Sequence, residues 1–284
     1  MTVLKKIIAI LLILILLITS LVYDSIYVAP SRFQVRYETL SDTKIPEQLN
    51  DLNILYFSDL HYGHNMDKKR LDKLIALINN CAPDVILFGG DLIDDQQFSP
   101  EEIQELTTSL QTLEARLGKF AVLGEYDHLQ LELVSQILHE SNFEILSNKA
   151  LKIRNTGSQS ITLVGIDCSI GGYNNEAAAF QDVGTNSYNL VFAHTPDTLM
   201  NLPTDKTDYF IAGHTHGGQV NYLFGSTYSV EQAELALSGK HNVNDAYTID
   251  VSTGVGTVGY DARFLAYPEV VLYRLVHESS AEDK

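Results

Sequence analysis

The chain has 284 residues, 45% of them hydrophobic, which is enough for one sizeable core and suits one domain better than two. A formal net charge of -17 leaves no global positive field to collect nucleic acid by counterion release, so nucleic-acid binding is disfavoured. With only Cys81 and Cys168, the disulfide framework of a small secreted domain is excluded; the two either pair or sit apart as core thiols.

Lys5 and Lys6 precede an uncharged run from Ile7 to Val22, dominated by Leu and Ile. The run is slightly shorter than the roughly 20 apolar residues that cross a bilayer, and Tyr23 extends it to the interface. No small-x-small cleavage site follows, so an uncleaved signal anchor is preferred to a removed signal peptide or a buried core helix. Two lysines on the cytoplasmic side would leave the rest of the chain outside, as a single-pass protein of the cell membrane. Asp24 to Asn50 carries Pro30 and Pro46 and reads as a connector with one strand at Phe33 to Tyr37. The expected organisation is an anchor over 1–24, a juxtamembrane connector over 25–50 and one domain over 51–284.

From Leu52 the signals become regular. Apolar runs at Leu52 to Phe57, Val85 to Phe88 and Phe120 to Leu123 end in Ser58-Asp59-Leu60-His61, Gly89-Gly90-Asp91 and Gly124-Glu125-Tyr126-Asp127-His128. Between them lie helical stretches. Asp67 to Asn80 has Leu71, Leu74, Ile75 and Ile78 on one face; Ser99 to Leu117 opens with Ser99, Pro100 and Glu102 at N-cap, N1 and N3, and Gly118 follows it. Strand, helix, strand is the pattern of a sheet with crossover helices, so the polar residues at the strand ends should meet on one edge. The later half is richer in strands: Ser160 to Ile166, after a hairpin turn at Asn155-Thr156-Gly157, then Tyr188 to Ala193, Asp208 to Ala212, Tyr247 to Ser252 and Glu269 to Leu275. Phe224 to Asn244 reads as a loop-helix-loop insertion near the site.

One Asp-x-His pair means little, and His64 beside it reads as a polar loop residue. The series carries the weight: Asp59 and His61, Asp91, the Gly124 to His128 cluster, His194, then His214 and His216, each after an apolar run and nearly all of the imidazole or carboxylate type that binds Mn, Fe or Zn.

The ordered motifs Asp59-x-His61, Gly90-Asp91-x-x-Asp94, Gly124-x-x-Asp127, His194 and Gly213-His214-Thr215-His216 resemble the signature of calcineurin-like metallophosphoesterases. Gly213 through Gln219 and the tail from Gly254-Val255-Gly256 through Arg263-Phe264 to Pro268-Glu269 resemble the membrane-associated or exported branch. The resemblance covers Asn53 to the C-terminus. It implies an α/β fold, a four-layer αββα sandwich behind the N-terminal transmembrane helix, and a site for two divalent metal ions, Mn favoured over Fe or Zn. By that match Asp59, His61 and His216 bind one ion, His194 and His214 the other, and Asp91 bridges them. Asp94 orients an imidazole or a water. Such a pair of cations supplies hydroxide near neutral pH and clamps phosphoryl oxygens, so no protein nucleophile is required.

The third motif departs from the family. Where Gly-Asn-His-Asp or Gly-Asn-His-Glu is usual, this chain has Gly124-Glu125-Tyr126-Asp127. Glu125 offers the second metal a charged oxygen instead of a neutral one, and Tyr126 is a far weaker acid than histidine. Three outcomes are open: Tyr126 donates a hydrogen bond, His128 reaches in from two residues along, or the leaving group needs little acid. The implied function is hydrolysis of a phosphodiester or pyrophosphate in a phosphorylated small molecule or lipid, with a catalytically weak metal- and phosphate-binding protein of the cell envelope as the alternative.

Overall fold

The computed structural model describes residues 2–63, 65–222, 225–244 and 246–279; His64 and Phe224 lie outside them. The first sheet holds β1 (Gln34–Asp42), β14 (Glu269–His277), β2 (Asn53–Phe57), β3 (Val85–Phe88), β4 (Lys119–Ala121) and β5 (Phe143–Ile145), in that order. The second runs β12 (Gly239–Val243), β13 (Tyr247–Val251), β9 (Tyr209–Ala212), β8 (Asn189–Phe192), β7 (Ile161–Gly165) and β6 (Lys149–Ile153). A two-residue ribbon, β10 (Asn221–Tyr222) with β11 (Gly225–Ser226), stands apart. The central strands β2 to β5 and β7, β8, β9 and β13 are parallel, and the returning strands at the flanks are antiparallel.

Alternation along the strands sorts side chains into layers. Ile54, Tyr56, Val85 and Leu87 face Leu163, Leu190, Phe192 and Ile211 in a core between the sheets. Their neighbours Leu55, Phe57, Ile86 and Phe88 turn outward onto α2 (Lys68–Asn80), α3 (Pro100–Gln111) and α5 (Leu131–Glu140), meeting Leu71, Leu74, Leu106 and Val134. On the far side Val164, Val191 and Phe210 pack against Ala179, Phe180 and Leu199, from α6 (Glu176–Ala179) and the turn Pro196–Asn201. With both faces covered, the central strands are continuous apolar runs, and the architecture is the αββα sandwich.

Three elements differ from expectation. β1 extends to Asp42 and pairs in parallel with the whole of β14, while Leu40, Ile45 and Leu49 enter the inter-sheet core, so residues from the 25–50 segment complete the first sheet. α3 begins at the expected capping box of Ser99 and Glu102 but stops at Gln111; Gly118, at φ +122°, makes the turn into β4 instead of capping the helix. The described residues between 225 and 244 contain no helix: turns lead into β12, an exposed strand paired antiparallel with β13. Cys81 and Cys168 are separate thiols.

The N-terminal helix α1 (Thr2–Tyr23) is apolar on every side and solvent-exposed, long enough with the turns after it to cross a membrane.

Lys119 is a cost in the core. Only 7% exposed, its ammonium reaches Leu110 O at 3.1 Å and the face of Phe143, and burial pushes its pKa down to about 8. The folded chain therefore holds this proton less tightly than the unfolded chain, and stability climbs as pH rises from about 8 toward the unfolded value near 10.4. Lys119→Met should flatten that slope and raise stability at pH 7 by on the order of 1–2 kcal/mol, read from urea melts across that range. An unchanged slope would refute this account.

Candidate metal centre

Each sequence-selected side chain sits just past the C-terminal end of a strand, so the two parallel sheets deliver them to one rim. β2 leads to Asp59 and His61, β3 to Asp91 and Asp94, β4 to Glu125 at the start of α4 (Glu125–Leu129), β8 to His194, and β9 to His214 and His216. The loops are knitted together by Asp59 N donating to Gly90 O (2.9 Å), His61 N to Asp91 O (3.1 Å) and Gly213 N to His194 O (2.9 Å). Asp59, His61, Asp91, His214 and His216 all have left-handed backbone, with φ between 46° and 69°. Such strain on residues other than glycine persists only where surrounding bonds over-determine it, and here it coincides with the clustered groups. Gly124 has no Cβ for a steric reason, since one would stand 2.1 Å from Asp91 Oδ1.

Among the described residues three sets occur in each of which the ligand atoms lie within 4.8 Å of one another: Asp59, His61 and His216; Glu125, His194 and His214; and Asp59, Asp91 and His194. The sets share members, and Asp91 lies between them, with Oδ2 at 3.5 Å from His61 Nε2 and 3.3 Å from His194 Nε2. Glu125 meets His194 Nε2 at 3.0 Å and His214 Nδ1 at 3.1 Å.

The outward ring nitrogens decide what faces inward. His61 Nδ1 donates to Asp94 Oδ1 at 2.9 Å, His194 Nδ1 to Gly89 O at 2.8 Å, and His214 Nε2 to Glu231 O at 2.8 Å. In the neutral form each ring then points an unprotonated nitrogen at the centre. His61 Nε2 is fully buried without a hydrogen bond, and His214 Nδ1 and His194 Nε2 face each other at 3.2 Å. Electron pairs crowded in this way repel unless cations lie among them, so the donor set fits divalent metal ions, with the nitrogen and oxygen ligands that suit Mn, Fe or Zn.

Buried charges respond accordingly. Burial pushes the Asp59 carboxyl up, His194 opposing it, whereas His194 and His214 together outweigh burial at Glu125 and hold it below the usual carboxylate range. His216 lies well below the ordinary imidazole value through burial and the nearby His61 and Arg263. Burial would lower His194 too, but Asp91 and Glu125 outweigh it and raise this imidazole well above its ordinary value. A metal entering the centre must displace that proton. The apparent affinity of the chain for Mn should therefore rise with pH until His194, held above the ordinary imidazole value, has lost its proton, with proton release seen as buffer-dependent heat in calorimetry. Affinity independent of pH would contradict it.

Tyr126 and His128 part company. The Tyr126 ring stands edge-on to His61 at 4.9 Å, its amide donates to Asp91 Oδ1 at 3.0 Å, and burial together with Asp91 raises its phenol. The outcome in which His128 reaches in is corrected: two residues further along α4, it bonds Asp167 Oδ1 at 2.8 Å and stacks on Tyr173 at 3.6 Å, touching none of the clustered groups.

Three further residues support the centre: Asp127 and Arg263, which stand in the matched motifs without an assigned role, and Tyr228, which stands in none. Asp127, third residue of α4, accepts from the amides of Asp91, Leu92 and Gly124 and so fixes two loops; burial and Asp91 push it up to about 7. Tyr228 meets the edge of His216 at 5.2 Å. Arg263, fully buried, donates to His216 O at 2.7 Å. Asp127 had a signal in its capping position after Gly124 and Arg263 one in the tail motif, but Tyr228 had no pattern to mark it.

A fold of facing sheets with a metal-fitting donor cluster on their common rim defines a metal-dependent phosphoric ester hydrolase. The chain belongs to the calcineurin-like phosphoesterase family, whose model matches residues 52–218. It is 30% identical to the metallophosphoesterase Cj0846 of Campylobacter jejuni over 92% of this chain and 68% of that one, and 24% identical to the metallophosphoesterase YkuE of Bacillus subtilis over 88% and 87%. A zebrafish (Danio rerio) protein named as a transmembrane protein with metallophosphoesterase domain is 26% identical over 80% of this chain and 54% of its own length.

Proposed function

We propose that this chain hydrolyses a phosphodiester or pyrophosphate bond at a dinuclear centre held by Asp59, His61, Asp91, Glu125, His194, His214 and His216, on a lipid-linked or nucleotide-sugar substrate. The observation that carries the reading is the inward orientation of the His61, His194 and His214 nitrogens, each set by a named acceptor behind it. Asp59, His61 and His216 suit one ion, and Glu125, His194 and His214 the other, with Asp91 between them. When bound, the ions supply Lewis acidity toward a phosphoryl oxygen and hydroxide near neutral pH.

The chain's own residues do the rest. Asp94 keeps His61 in one tautomer, Asp127 holds the loop of Asp91 to that of Glu125, and Tyr126, whose hydroxyl has no partner among the described residues, is free to donate a hydrogen bond to a phosphoryl or leaving-group oxygen. With so weak an acid, the reading favours good leaving groups, a phosphoanhydride or an aryl oxide. Lys5 and Lys6 favour an N-terminus in the cytoplasm and a catalytic domain outside it.

Full-length protein reconstituted with Mn and tested on bis-aryl phosphodiesters and lipid pyrophosphates checks the reading. Stoichiometric metal without turnover on any of them would favour the envelope binding protein instead. Tyr126→His in the same chain should raise turnover of an alkyl phosphodiester by about 10-fold or more and that of an aryl diester far less, because only the poor leaving group needs the acid. Equal effects on both would refute the assignment of Tyr126.

A further inference from the structure

Where α1 meets the catalytic domain, two recesses flank its root. The first, about 340 Å³, is apolar and lined by Leu21, Val22, Ile26, Val220, Tyr260 and Phe264. The second, about 440 Å³, has Tyr27 and Val28 from the root on one side and Arg32, Lys69, Arg70 and Lys73 around it, with Asp67 as its one lining carboxylate. They are joined by Arg70, whose guanidinium grips Asp261 through both Nη atoms at 2.8 and 2.6 Å, beside Tyr260 in the apolar recess. The root itself is fixed, with Ser25 O accepting from Arg263 N at 2.9 Å and Ala29 and Pro30 buried.

The two recesses have the chemistry of a membrane surface. Tyr23, Tyr27, Tyr222, Tyr260 and Leu265 are each 45% or more exposed, an aromatic and apolar girdle at the level where α1 ends. Arg32 is paired with Asp24 and Arg70 with Asp261, while Lys69 and Lys73 have no carboxylate partner among the described residues. In a chain of net charge -17, two uncompensated ammonium groups beside an apolar girdle are a local reversal of sign. Cations immediately outside a bilayer gain from anionic headgroups.

We propose that the basic recess seats the phosphate of an anionic phospholipid in the bilayer that α1 spans, so that the catalytic domain rests on the membrane with the first turns of α2 and the 260–265 loop facing it. Arg32 and Arg70 frame the pocket, Lys69 and Lys73 meet the phosphate, and Tyr27 borders it from the anchor side. The rim that carries His216 is then near the lipid surface, because Arg263 contacts both His216 and the root of α1. The inference depends on α1 as a membrane span and not on the reaction catalysed.

Amine acetylation of the full-length protein in vesicles, read lysine by lysine by mass spectrometry, tests it. Replacing pure phosphatidylcholine with a mixture containing phosphatidylglycerol should slow Lys69 and Lys73 by about fivefold or more and leave exposed Lys149, on β6, unchanged. In the Lys73→Glu variant the protection of Lys69 should fall severalfold, while hydrolysis of a soluble aryl phosphodiester in detergent stays as in the parent. Equal labelling in both lipids, with the protein floating with the vesicles, would overturn the headgroup seat and leave the anchor standing; failure to float would overturn the anchor. Protection by inorganic phosphate in detergent, equal to that by the lipid, would show a soluble-phosphate site and also overturn the proposal.

Discussion

Replacing Asp91 with asparagine should lower kcat/KM on an aryl phosphodiester by about 10³-fold or more while leaving the fold intact. The two carboxylate oxygens have different partners. Oδ1 accepts from the Tyr126 amide, a role an asparagine oxygen keeps; Oδ2 faces His61 Nε2 and His194 Nε2, where an asparagine NH2 donates to the imidazoles in place of binding a cation. The substitution also removes a negative charge buried near Asp59 and Asp127, both of which Asp91 pushes toward protonation. Since Asp91 also supports the proton on His194, the metal-free variant should melt close to the metal-free parent, whereas Mn should raise the melting temperature of the parent only, because a ligand stabilises only the state that binds it. Metal analysis, melting with and without Mn, and turnover together separate the two effects. A variant that keeps two Mn per chain and most of its activity would remove Asp91 from the centre.

Much of this centre was legible because buried parallel strands are written as short apolar runs, and whatever follows such a run lies at the sheet edge. Asn53–Phe57, Val85–Phe88, Asn189–Phe192 and Tyr209–Ala212 were readable for that reason, and the groups after them with them. β1 was read only in part, since an edge strand with one covered face alternates polar residues, and its length is set by β14, more than 200 residues away. β12, Gly239 to Val243, has almost no apolar side chain, and pairing with β13 makes it a strand. The end of α3 was misread because Leu113, Ala115 and Leu117 continue an apolar pattern that the turn after Gln111 uses for packing, not for helix. His128 misled by proximity: two residues along a helix is a rotation of about 200°, which turned it away from Tyr126 and toward Asp167.

Arg263→Met should be the most destabilising single change near the centre, at about 3–5 kcal/mol, because four backbone carbonyls lose one shared donor. The guanidinium, fully buried and pushed down to about 10 by burial, donates to His216 O (2.7 Å), Ala266 O (3.2 Å), Gly256 O (2.5 and 3.2 Å) and Gly254 O (3.4 Å). These carbonyls belong to three separate turns that only the single bridge Val220–Phe264 and a few backbone hydrogen bonds otherwise join, and Gly254 packs directly against the Asp59 carboxylate. Methionine fills the volume and leaves the acceptors in an apolar hole, so the expected fall in melting temperature is roughly 8–15 °C for a domain of this size. Arg263→Lys should recover only part of it, since three donors on one nitrogen cannot span the fork that five N–H groups reach. Mn affinity should fall in both variants because His216 and Asp59 lose their backing, and saturating Mn should restore more of the melting temperature in Arg263→Lys than in Arg263→Met. A methionine variant melting within about 2 °C of the parent would mean that the carbonyls find water instead, and that the loops beneath the centre hold without Arg263.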